Sequence, residues 1–163
     1  LVPRLVAAYH DNSAALVPFP DAEPTLERLG RKYDLAVITG GTNGETKLER
    51  LGLADYFGAV IVAPAHGWSK REPEPFETAL TELDATPAET TFVGDRPAVD
   101  FVQPTQLGML TIRVLRGQYA TVEANEATEP NLEVDSLDAV PEVLRRRQPD
   151  TSVANSVDRR DSE

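Results

Sequence analysis

TTFVGDRPAVDF, residues 90–101, starts as a short apolar strand, breaks at Gly94 and delivers Asp95 to the strand's end, with Asp100 five residues on. The apolar residues need a core on both sides, and the Gly-Asp step sets an acidic group at the edge of that core. Working outward, the same design recurs upstream. Asp34 to Thr39, DLAVIT, is an apolar strand closed by Gly40 and Gly41, and Ala59 to Val62 is another, followed by a loop with Trp68 and Lys70. Downstream, Leu110 to Val114 and Leu132 to Val134 read as two further strands.

Helical spacing fills the intervals. Ala22, Leu26, Leu29 and Tyr33 form one stripe, residues 45–51 a second helix, and Phe76, Ala79, Leu80 and Leu83 a third stripe behind Pro73. A helix is predicted from about Pro97, with Pro104 bending it or ending it early, and a last one capped by Ser136 with Val140, Val143 and Leu144 buried. Strands alternating with amphipathic helices predict an α/β fold with a doubly wound parallel sheet. In such a sheet the ligand site lies outside the carboxyl ends of the strands, where Thr39, Asp95 and the Lys70 loop converge. Residues 1–19 read as the end of a helix plus a linker, 20–147 as the α/β core, and 148–163, polar and aperiodic, as a disordered tail.

Composition narrows the function. The 163 residues carry 27 acidic and 16 basic side chains, a net charge of -11, which repels nucleic acid and anionic membranes alike. Lysine occurs only at positions 32, 47 and 70, and the abundant acidic residues fit a surface hydrated in high salt, the halophilic reading. The absence of cysteine excludes disulfides and thiolate metal sites and is compatible with a reducing, cytoplasmic setting. The two histidines, His10 and His66, lie in polar stretches. The longest apolar run, residues 58–65, is far short of the roughly 20 residues of a membrane helix. The sequence starts at Leu1 and its only methionine is Met109, so translation is expected to begin upstream.

Each candidate site residue has a plain alternative. Thr39 and the amides after it can face a phosphoryl oxygen, or the hydroxyl can simply stabilise a turn. Lys70 can offset phosphoryl charge or sit in solvent. Asp95 can hold a cation or cap the next helix, and Asp100 can join it or form a surface ion pair with Arg96.

Taken together, the order threonine, lysine, Gly-Asp and second aspartate resembles the haloacid dehalogenase-like hydrolase superfamily over roughly residues 20–144, in particular its phosphatases with a helical cap. The resemblance implies that Thr39 and Gly40 bind the phosphoryl group, that Lys70 steadies it, and that Asp95 and Asp100 hold Mg²⁺. The substrate implied is a small phosphorylated metabolite, hydrolysed through an aspartyl-phosphate. The superfamily's dehalogenases, which displace halide from 2-haloacids without a metal, are the rival enzyme reading, and Asp95 argues against them. A non-catalytic remnant that binds phosphate or a partner is the third.

One part of the pattern is missing. The family's first strand ends in Asp-x-Asp, whose carboxylates attack phosphorus and protonate the leaving group. Asp11, in AYHDNSAAL, follows a helical segment and has no second aspartate. The chain is therefore expected to lack the sheet's central strand, with a gap of roughly 10 Å to be closed or filled, and to be inactive alone. A missing amino-terminal segment or a partner chain would supply the nucleophile.

Overall fold

The computed structural model describes residues 4–9 and 18–147. Six strands form one sheet: β1 (Arg4–Tyr9), β2 (Asp34–Thr39), β3 (Ala59–Val62), β4 (Thr90–Gly94), β5 (Leu110–Val114) and β6 (Leu132–Val134). Their spatial order is β3-β2-β1-β4-β5-β6, and every neighbouring pair is parallel. Among the described residues six α-helices accompany them: α1 (Ala22–Gly30), α2 (Gly44–Arg50), α3 (Glu74–Glu82), α4 (Pro97–Asp100), α5 (Val102–Leu107) and α6 (Val140–Arg147).

The missing central strand is corrected. β1 lies between β2 and β4, with Arg4 level with both Asp34 and Thr90, and Tyr9 level with Thr39. Residues 4–9 are thus a strand and not the end of a helix. The spacing of Leu5, Ala8 and Tyr9 favours a helix locally, but two facing rows of unpaired backbone groups outweigh that preference. Strand formation depends on such neighbours more than on intrinsic propensity. Asp11 lies outside the described residues. Of the two grounds for setting it aside, a preceding helix no longer holds, while the lack of a second aspartate does. The expected tail, 148–163, also lies outside the described residues.

Two apolar layers sandwich the sheet. Leu35, Val37, Val93, Ile112 and Val114 belong to a cluster with Leu26, Leu29, Leu48, Val140 and Leu144 from α1, α2 and α6. Ala36, Ile38, Ala59, Ile61 and Phe92 belong to the other, with Phe76, Ala79 and Leu80 of α3. Adjacent residues such as Val37 and Ile38, or Phe92 and Val93, fall in opposite layers, as the period of two along a strand requires. Each such side chain, fully buried, contributes about 1.5–3 kcal/mol.

The helix predicted from Pro97 is two short helices, broken at Phe101. Phe101 is fully buried and meets Phe92 edge-on at 6.4 Å, while Phe92 meets Phe76 at 5.2 Å. The break places Pro104 in the first turn of α5, where its missing N–H costs no helical hydrogen bond. Ser136 heads a short 3-10 turn, Leu137–Ala139, leading into α6, and its hydroxyl bonds the Asp138 carboxylate instead of capping the helix amides.

Candidate active site

Three strands, β3, β2 and, across β1, β4, run parallel and end on one side. β2 ends at Thr39 and β4 at Gly94, followed by Asp95; the loop beyond β3 carries Lys70. Thr39 is buried, and its Oγ1 accepts the N–H of Gly41 at 3.1 Å and donates to the Gly41 carbonyl at the same distance. The hydroxyl therefore shapes the turn that carries Gly40 and Gly41. α2 starts hard against it: a Cβ on Gly44 would stand 2.6 Å from Thr39 Oγ1 and 2.4 Å from its methyl, closer than atoms pack.

Lys70 is not solvated surface. It is 3% exposed, and its Nζ donates to Oδ1 of Asp100, which is fully buried, at 2.9 Å. Burial pulls the Lys70 ammonium below its ordinary range, and the attraction and hydrogen bond of Asp100 work against that pull. The other carboxylate oxygen, Oδ2, accepts the backbone N–H groups of Asp95 at 3.1 Å and Arg96 at 2.9 Å. Asp100 thus closes the loop after β4 and anchors Lys70 to it. The expected surface pair between Asp100 and the Arg96 side chain gives way to this backbone contact. Gly94 makes room for it, since a Cβ there would fall 2.7 Å from Asp100 Oδ2.

Asp95 is half-buried and does not cap α4, whose N-cap position is Arg96 and has no side-chain capping bond. The donors for a hard cation are carboxylate oxygens, which suit Mg²⁺ bound through one or two carboxylates, phosphate and water. Both Asp100 oxygens already accept hydrogen bonds, from Lys70 and from the loop amides, so a cation at this loop could be held by Asp95 with Asp100 behind it. Among the described residues no group of three or more histidine, cysteine or acidic side chains could hold a metal, which excludes a metal cage built from side chains there.

A cavity of about 530 Å³ is lined by Gly40, Gly41, Trp68, Lys70, Arg71 and Arg96 among others, with Gln118 and Tyr119 from beyond β5; Thr39, Asp95 and Asp100 lie next to lining residues and outside the lining itself. Trp68 stacks on His66 with ring centroids 4.5 Å apart, so the cavity wall uses the tryptophan and the histidine backs it. Arg71, Arg96, Gln118 and Tyr119 were not singled out from sequence. Two of them directly follow expected site residues, which is a usable signal. Tyr119 had a subtler one in Arg113, a charge inside the apolar strand LTIRV. Arg113 is buried and donates to the carbonyls of Tyr119 at 2.9 Å and Val122 at 2.6 Å, tying down the polar segment after β5.

The sequence profile of haloacid dehalogenase-like hydrolases matches residues 1–114. The chain belongs to that family. It is 35% identical over 150 residues to a glyceraldehyde 3-phosphate phosphatase of Methanopyrus kandleri, across 89% of this chain and 64% of that protein. The chain therefore spans just under two thirds of that relative's length. Among solved structures, a 2-haloacid dehalogenase from Pseudomonas syringae superposes with a TM-score of 0.69 at 36% identity, covering 80% of this chain and 54% of that one. A HAD phosphatase from Thermococcus onnurineus gives 0.69 at 29%, covering 77% and 57%. Among the described residues no helix is long and apolar enough to cross a membrane.

Proposed function

We propose that this chain is the phosphate- and metal-binding part of a Mg²⁺-dependent phosphatase that hydrolyses a small phosphate monoester through an aspartyl-phosphate. The observation that carries the reading is the Lys70–Asp100 pair, buried at 2.9 Å beside an open cavity. Taking two charges out of water is expensive, and well-packed apolar residues of similar volume often serve stability as well or better. A pair kept there serves an anion that enters the cavity. The phosphatase relative supports the same reading.

In this reading Lys70 offsets phosphoryl charge, while Gly40 and Gly41 line the phosphoryl position. Thr39 shapes their turn and reaches the anion itself by releasing the Gly41 carbonyl. Asp95 holds Mg²⁺, with Asp100 orienting both Lys70 and the Asp95 loop. The cation, when bound, neutralises charge on the phosphoryl oxygens. The attacking carboxylate and the general acid come from a segment outside this sequence or from a partner chain, delivered to the same strand ends. The acidic composition suits a salt-rich cytoplasm.

The chain alone is then inactive, because loss of a catalytic nucleophile costs on the order of 10⁶ in rate. The test is a Mg²⁺-dependent phosphatase assay on this chain and on a form extended by its upstream coding sequence, with Asp95→Asn in the extended form. Activity only in the extended chain, lost with Asp95→Asn or with EDTA, is the expected result. Equal activity of the short and extended forms would refute it.

The dehalogenase neighbour favours a second reading, displacement of halide from a 2-haloacid. Halide release that survives EDTA in the extended chain would establish that reading in place of the first.

A further inference from the structure

The walls of the cavity are charged in the opposite sense to the rest of the chain. The sequence carries 27 acidic and 16 basic residues, yet among the described residues Lys70, Arg71 and Arg96 line the cavity and no aspartate or glutamate does. Lys70 already faces Asp100. Among the described residues, Arg71 and Arg96 form no ion pair with a carboxylate.

Arg96 is also held in place. Its backbone N–H is fixed on Asp100 Oδ2 at 2.9 Å, and its guanidinium lies 5.1 Å from the centre of the Tyr119 ring. The Tyr119 carbonyl is in turn gripped by buried Arg113. Contact with an aromatic ring limits the guanidinium's freedom and leaves its N–H groups able to meet an oxyanion, with little ordering left to do on binding. Arg71 is exposed, but its backbone is fixed at both ends. Its N–H donates to Ser69 Oγ at 3.2 Å and its carbonyl accepts from Gln103 Nε2 at 2.8 Å. Three cationic side chains lining one cavity repel one another, and that crowding is relieved when anions enter.

One phosphoryl group at the strand ends faces Lys70 and the Asp95 cation, and does not account for two additional arginines on the same wall. We propose that the site selects phosphate monoesters bearing a second anionic group, a carboxylate or another phosphate, which Arg96 receives with Arg71 beside it. This rests on the phosphatase reading and adds its substrate class.

The experiment is calorimetric titration of the chain, in Mg²⁺, with 3-phosphoglycerate and with glycerol 1-phosphate. These probes share a three-carbon phosphate ester and differ in whether the far end is a carboxylate or an alcohol. Wild type is expected to bind 3-phosphoglycerate about tenfold tighter, a difference that Arg96→Gln removes and Arg71→Gln reduces. Glycerol 1-phosphate affinity should change less than about twofold in both variants, which also reports that they are folded. Equal affinity of wild type for the two probes would overturn the second-anion proposal and leave the phosphatase reading standing. Equal weakening of both probes by Arg96→Gln would likewise overturn it, making Arg96 part of the phosphoryl site. Failure of wild type to bind either probe would overturn both readings together.

Discussion

Two ion pairs of this molecule are chemically alike and have different consequences. Arg116 grips Asp21 through two bonds, 2.7 and 3.0 Å long, with side chains 23% and 17% exposed. Lys70 and Asp100 meet at 2.9 Å with side chains 2% and 0% exposed. The first pair joins the end of β5 to the entrance of α1, 95 residues apart in sequence, and Arg116 also lies 4.1 Å over the Phe19 ring. It is a staple, partly wet and cheap to keep. The second reaches a cavity through Lys70, and there desolvation makes the pair costly, with each charge helping to make the other tolerable. Position, not bond length, separates the two.

The contrast is broken most severely by removing one buried partner. Asp100→Ala removes the hydrogen-bonded counter-charge of Lys70 at 2.9 Å and the acceptor of two loop amides, and is expected to cost about 3–5 kcal/mol in urea unfolding. The sign with pH is fixed. The folded Lys70 is already below its ordinary range through burial, and losing Asp100 pushes it lower. The unfolded chain then holds the lysine proton to higher pH than the folded one, so the variant gains stability as pH rises from neutrality towards 10.5, the ordinary lysine value. A deficit that does not shrink over that range would show that Lys70 escapes to solvent.

The staple should answer more weakly. Asp21→Asn is expected to cost about 1 kcal/mol, as partly exposed pairs do. Burial raises the Asp21 pKa, but the Arg116 hydrogen bonds and charge and the Asp138 amide outweigh it, so the folded value lies below 3.8. The contribution is complete above that value and disappears as pH falls through the folded pKa. The gap between wild type and Asp21→Asn in acid denaturation should therefore close as the pH falls from 3.8 through the lower folded value. A gap that persists there would assign the loss to packing.

Much of the scaffold was legible because its signals are local. The residues of β2, β3, β5 and β6 follow apolar runs bounded by turns, and β4 differs from its expected bounds only by Thr90 and Gly94. β1 was misread because RLVAAY carries no decisive period, and its state is set by β2 and β4, which lie far along the chain. At the candidate site, the order of Thr39, Lys70, Asp95 and Asp100 anticipated their placement on one side of the sheet. The depth of Lys70 was not, since a loop lysine looks the same in sequence whether it is solvated or buried. Tyr119 meeting Arg96 depends on how Arg113 anchors a segment without periodicity, and that contact exists only in the folded chain.

The central claim is that Lys70 and Asp100 are kept for an anion and not for stability. Its direct test is a titration of inorganic phosphate, in Mg²⁺, into wild type and the double variant Lys70→Met, Asp100→Leu, each with a urea midpoint. The expected result is a double variant that loses less stability than Asp100→Ala, because no unpaired buried charge remains and only the two loop amides lack their acceptor, and whose phosphate affinity is at least about tenfold weaker. A double variant that binds phosphate as tightly as wild type would contradict the account.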